Sequence, residues 1–215
     1  MSLAALVGPL EKPAAPAPPP ARLMDEGDWV DVIPYHADND PNADHFLYWM
    51  WHKLKDDGLL ALYFPDDQEK SYPTFVKLMS APVTRVILVV IKSPATKDKP
   101  NGEVKDVIGF ATWEPLRMGP ATVGHAGFIF LHKYWQRQVS VEAGKRIMQH
   151  WFAETEPKLD VALGLIADTN KLANRYVQAL GWTRLGDLPG CHHYDGKQAD
   201  AVIWRMTRAE FERAV

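Results

Sequence analysis

Three groups of side chains in this sequence could do chemistry. The segment His132-Lys133-Tyr134-Trp135-Gln136-Arg137-Gln138-Val139-Ser140-Val141-Glu142-Ala143 runs from an apolar stretch into a helical pattern. A helix start at that point offers unpaired amides and the positive end of the helix dipole to an anion. Glu114 and His125 sit after and within apolar runs and carry the carboxylate and imidazole that a general base requires. A solvated strand-end carboxylate and an ordinary sheet histidine are the alternatives at those two positions. Cys191-His192-His193-Tyr194-Asp195 has the right atoms for a metal, but adjacent residues seldom converge on one ion without a ligand from elsewhere. No metal is expected. Phosphate loops, Gly-x-Ser-x-Gly elbows, His-Glu-x-x-His pairs and Gly-x-Gly-x-x-Gly turns are missing, which argues against kinases, serine hydrolases, zincins and simple dinucleotide enzymes.

The elements that must position these groups follow from periodicity. Phe46, Met50 and Leu54, with Leu47 and Trp51, recur at helical spacing between Ala43 and Lys55, and Gly58 would stop that helix. A second helix is expected from Tyr72 to Met79, with Pro73 in its first turn. The period then changes. Arg85 to Ile91, Val107 to Trp113 and Val123 to Leu131 are β-branched, apolar runs separated by turn-rich segments, and three in succession make an antiparallel meander. Val139, Ala143, Ile147 and Trp151 place one apolar stripe on a helix from Val139 to Phe152, and a strand from Val161 to Ile166 follows. Strand, helix, strand implies a parallel pair with a crossover helix. A helix from Asn170 to Leu180, stopped by Gly181, and a late strand from Ala201 to Met206 complete an α+β fold with a mixed, mostly antiparallel sheet, a central crossover helix and flanking helices. Trp49, Trp51, Trp113, Trp151 and Trp182 fall among apolar neighbours and read as core rather than as a stacking platform for nucleic acid.

Composition bounds the function. The chain has 215 residues, 24 Lys and Arg against 27 Asp and Glu, and a net charge of -3, a poor match to the cationic surplus that nucleic acid demands. With Cys191 as the single cysteine, neither an internal disulfide nor a cysteine-based zinc site can form. The longest apolar strand-like run, Val86 to Ile91, is far below the roughly 18 residues of a membrane span. The first residues lack a basic start and a full apolar segment, so a secretory signal is not expected. Residues 13–21 are only proline and alanine; polyproline II suits them. Residues 1–22 are therefore either a semi-rigid spacer or an arm that docks on a protein partner, and residues 23–215 form one domain.

Asn170-Lys171-Leu172-Ala173 and Leu180-Gly181-Trp182 resemble the Asn-x-x-Ala/Ser and Leu-Gly-Phe signatures of the GCN5-related N-acetyltransferase (GNAT) superfamily. The resemblance runs from about Val86 to Phe211. Tyr134 to Ala143 is similar to the Tyr-Trp-Gly-Arg-Gly-x-Ala-Thr-Glu-Ala loop of the branch that modifies ribosomal-protein N-termini, as is the ending Ile203 to Phe211. Gly186 to Gly190 and the glycine-poor loop also resemble GNAT-like proteins of tailed bacteriophages.

The resemblance implies acetyl coenzyme A as cofactor, a primary amine as acceptor and a V-shaped splay between two parallel strands. It implies contacts to the coenzyme from Leu131, Arg137, Gln138, Val139, Ser140, Asn170 and Ala173. It makes Glu114 and His125 candidates for the base, Tyr176 a candidate for the acid although the family's Tyr falls one residue later, and Cys191 to Asp195 a loop at the acceptor entrance. Gln136 and Gln138 replace the loop glycines, where a missing Cβ lets amides approach phosphate closely. Two outcomes stand side by side: a cytoplasmic N-acyltransferase, or a catalytically degenerate structural protein, such as a virion component docked through its arm or assembled as an oligomer.

Overall fold

The structure, a computed structural model, describes residues 24, 26–35, 43–60, 71–81, 84–135, 138–194 and 197–214. The Pro/Ala segment lies outside them, as do Gln136, Arg137 and Asp195.

Helix α1, Ala43–Asp56, ends where Gly58 takes a positive φ of 70° and its amide bonds the Lys55 carbonyl, a conformation glycine adopts without a Cβ penalty. Helix α2, Tyr72–Met79, carries proline in its first turn, where no amide is needed. After a first strand β1, Trp29–Tyr35, and these helices, the expected meander of three strands forms as β2, Arg85–Lys92, β3, Val104–Met118, and β4, Ala121–Phe130. Their pairing is antiparallel throughout. Val86 to Ile91 are all buried, because β2 is covered on both faces, as uninterrupted apolar strands usually are.

The crossover helix α3, Gln138–Gln149, opens into one π-helical turn at His150–Glu154 before β5, Val161–Ala167. Helix α4, Lys171–Ala179, ends at Gly181, whose φ is 85°. Strands β6, Thr183–Tyr194, and β7, Lys197–Thr207, form a hairpin, and α5, Arg208–Ala214, closes the described chain. The seven-stranded sheet runs β1-β2-β3-β4-β5-β7-β6, with β4 and β5 its parallel pair. Phe75 of α2 meets Phe110 on one face, while Trp151 stacks on Phe128 on the other. Alternation along paired β3 and β4 puts those two phenylalanines on opposite faces, so α1 and α2 cover one side and α3 and α4 the other.

β1 and α5 have no strong periodic signal and are not expected from the sequence, and two sequence expectations need correction. The segment expected as a loop at Cys191 belongs to β6, where His192 and His193 pair with Ala199 and Gln198. Trp113, Trp151 and Trp182 are buried as expected, but Trp49 and Trp51 are only partly so and pack at the edge of the core. Among the described residues no helix is long and apolar enough to cross a membrane.

Candidate functional site

The site begins where a ladder stops. β4 and β5 pair only at Val123–Val161, Gly124–Ala162 and His125–Leu163, then part. Each strand remains bonded to its outer neighbour, β4 to β3 through Phe130 and β5 to β7 through Ala167. The gap therefore presents strand-edge amides and carbonyls, which need partners of their own. Residues 126–130 and 164–167 both line a cavity of about 1200 Å3 that also takes lining residues from the helices on both faces of the sheet.

Most of the candidate residues gather on that cavity. Glu114, His125, Gln138, Ser140, Asn170, Ala173 and Tyr176 all line it. Glu114 and His125 are direct cross-strand partners on β3 and β4, which puts their Cβ atoms about 5 Å apart. His125 is exposed and Glu114 partly buried. Thr84, just before β2 and buried, donates its hydroxyl to Glu114 Oε1 at 2.8 Å. Leu131 and Val139 do not join the lining: both are buried in the core, and the Leu131 amide donates to the Ile108 carbonyl. Arg137 lies outside the described residues.

The start of α3 is anchored from below. A turn at His132–Tyr134 leads into it, and Asp106 on β3 accepts from the Tyr134 hydroxyl and from Lys133. Burial, reinforced by that carboxylate, keeps the Tyr134 phenol well above its ordinary pKa. The Trp135 indole donates to the Phe130 carbonyl at 2.7 Å, and the His132 amide to Asp57 Oδ2 at 2.7 Å. Gln138 turns its amide along the helix to Glu142 Oε1 at 3.0 Å.

Asn170 and Ala173 have a local reason to be spaced by three. Asn170 is the buried N-cap of α4, and its Oδ1 accepts from the Ala173 amide at 3.0 Å, which satisfies one of the helix's unpaired donors. One turn on, Asn174 donates to the Ala167 and Asn170 carbonyls and accepts from the Trp204 indole. These bonds hold the end of β5 and the start of α4 together beside the gap.

Tyr176 sits between the two helices of that face. Its hydroxyl donates to the Ser140 carbonyl at 2.6 Å, and its ring lies edge-on to Phe128 and Phe130. Burial pushes its pKa up, with the Gly144 amide pulling the other way, so the phenol keeps its proton at neutral pH. The approach of α4 requires Gly144: a Cβ there would lie 2.4 Å from the Tyr176 hydroxyl and 2.6 Å from Leu180 Cδ1. Sequence inspection missed Gly144 and Thr84. A glycine inside an otherwise periodic helix was the available signal for the first; for the second there was none, since its partner is 30 residues away. Among the described residues no three His, Cys, Asp or Glu converge on a metal site, and Cys191 is exposed and free.

No family model and no curated protein matches the sequence. Solved structures do match. A probable GNAT-family acetyltransferase from Chromobacterium violaceum superposes with a TM-score of 0.63 at 13% identity over 94% of this chain and 99% of that one. Spermidine N-acetyltransferase from Vibrio cholerae, in complex with CoA and spermine, gives 0.60 at 11% identity over 85% and 98%. A GNAT-family acetyltransferase from Bacillus anthracis gives 0.55 at 17% over 76% and 90%. With its strand order and its parted parallel pair, the chain has the fold of the GCN5-related N-acetyltransferases.

Proposed function

We propose that the chain is an N-acyltransferase that moves an acetyl group from acetyl coenzyme A to a primary amine. The observation that carries this is the cavity between the parted strands β4 and β5, which puts the helix starts of α3 and α4 on one side and Glu114 and His125 on the other. The donor set fits the coenzyme: strand-edge amides along β4 suit an amide-bearing arm, and the first turn of α3 suits an anion. Gln138, the residue in a glycine's place, spends its side chain on Glu142. When bound, the coenzyme supplies the acetyl group as a thioester.

The chain's own residues then divide the work. Glu114, with one oxygen held by Thr84, takes the proton from the acceptor amine at its other oxygen. His125, exposed across the strand pair, passes that proton to water. Tyr176 holds its proton on the Ser140 carbonyl and fixes α4 against α3. The Vibrio cholerae and Bacillus anthracis acetyltransferases support this reading through their shared fold. A virion role finds no support in these comparisons, and the arm it would use lies outside the described residues.

The test is calorimetric titration of coenzyme A into the purified chain, with thiol release from acetyl coenzyme A measured over a panel of amines. Glu114→Gln should lower kcat by roughly 10²- to 10⁴-fold and leave coenzyme affinity unchanged. No coenzyme binding at about 1 mM, weaker than a Kd of that order, would overturn the proposal in favour of a non-catalytic protein.

A further inference from the structure

We infer that Thr84 is the positioning residue of the base: its hydroxyl fixes the Glu114 carboxylate, so turnover depends on a residue that takes no proton itself. This rests on the acyltransferase reading, in which Glu114 is the base. Thr84 continues the β2–β3 ladder by one step. Arg85 pairs with Trp113 and Val86 with Thr112, so the next antiparallel step sets Thr84 opposite Glu114, which is itself opposite His125. Residues directly opposite share a face of the sheet. Thr84, Glu114 and His125 therefore form one row across the meander, and all three line the cavity.

The row has a fixed end and a working end. Thr84 is 8% exposed, and its amide donates at 3.0 Å to the carbonyl of Ala81, just past the end of α2. A β-branched side chain also keeps few χ1 rotamers, so backbone and packing together hold the hydroxyl in place. Its 2.8 Å bond to Glu114 Oε1 has a carboxylate as acceptor and belongs to the stronger class of hydrogen bond. Glutamate has three side-chain torsions to hold, and without this donor the partly buried Glu114 would spread over several rotamers. Few of them would meet the amine. A purely structural Thr84 would satisfy its own buried hydroxyl and no more, and its loss would lower stability without changing turnover per folded molecule.

The experiment compares the full chain with Thr84→Val, which keeps the volume and removes the donor, and Thr84→Ser, which keeps the donor. Glu114→Gln is made alone and combined with Thr84→Val. Thiol release from acetyl coenzyme A is followed with spermidine and with 2-phenylethylamine, and crystal structures of the wild type and Thr84→Val locate the carboxylate. Thr84→Val should lower kcat about ten-fold or more while KM for both substrates stays within about two-fold. Thr84→Ser should restore kcat to within about three-fold of wild type. On the Glu114→Gln background, Thr84→Val should cost less than about two-fold more, because it acts through a group already removed. The Glu114 side chain should leave its wild-type position in Thr84→Val. Wild-type kcat in Thr84→Val, equal losses in the serine and valine variants, or a further loss of about ten-fold in the double variant overturns the inference. The two failures are distinguishable. Glu114→Gln inactive beside a fully active Thr84→Val sinks the positioning role alone; a carboxylate displaced in Thr84→Val, with no transfer to either amine, keeps that role and sinks the acyltransferase. Wild-type kcat in Glu114→Gln sinks both.

Discussion

At the residue scale, the site is made by side chains whose partners are distant in sequence. Thr84 and Glu114 meet across β2 and β3, and Glu114 faces His125 across β3 and β4. Asn170 is different: its partner is three residues away. Its role is therefore local, and it predicts a distinct outcome. Asn170→Ala should cost about 1 kcal/mol of stability through the lost cap, whereas Asn170→Asp should retain most of it. Chemical denaturation checks both. Coenzyme affinity measured on Asn170→Asp then separates capping from any direct contact with the ligand, because the cap is kept while the amide donor is removed. The motif legible in the sequence at this point marks a helix start beside the gap. It does so for a physical reason: the Ala173 amide has no partner within the helix and bonds the Asn170 side chain instead.

At the element scale, the packing of α4 on α3 shapes the cavity on that face of the sheet. The two helices approach closely enough at Gly144 that the Tyr176 hydroxyl and Leu180 occupy the volume of a missing side chain. Gly144→Ala should therefore destabilise the chain by about 1–3 kcal/mol through overpacking, despite the higher helix propensity of alanine. Tyr176→Phe should cost roughly 1 kcal/mol for the lost bond to Ser140. The double variant should be less destabilised than the sum, since removing the hydroxyl relieves the clash. Thermal and urea denaturation of the four proteins test this cycle. Element boundaries themselves were largely readable: α1, α2, the meander, α3 and β5 follow from spacing and from Gly58, Pro73 and Gly181. β6 was not, because Pro189 and Gly190 read as a loop. They sit in a register shift between Leu188 and His192, and a bulge is where a strand tolerates such residues.

At the scale of the whole molecule, a chain with a net charge of -3 has no bulk attraction for an anionic coenzyme. The proposed coenzyme binding would come from local donors at helix starts and strand edges. Coenzyme A at about one hundred times its Kd should then stabilise the fold by ~2.7 kcal/mol, seen as a rise in Tm that vanishes without ligand. Affinity should fall only modestly with salt, since few full charges are neutralised.

The sequence by itself determined α1 to α4, β2 to β5 and β7 in their order, because periodicity and glycine or proline punctuation act within a few residues; β1, β6 and α5 needed the structure. It also carried the resemblance that named the fold, and it marked Glu114, His125, Ser140 and Asn170, all of which reach one cavity. Only the tertiary structure decided where the splay that the resemblance implies begins, after His125 and Leu163, because separation depends on what packs on both faces of the sheet. The same packing turned Leu131 and Val139 inward and set the Tyr176 hydroxyl on the Ser140 carbonyl. Side-chain type specifies what a residue can do; the distance between strands specifies to what.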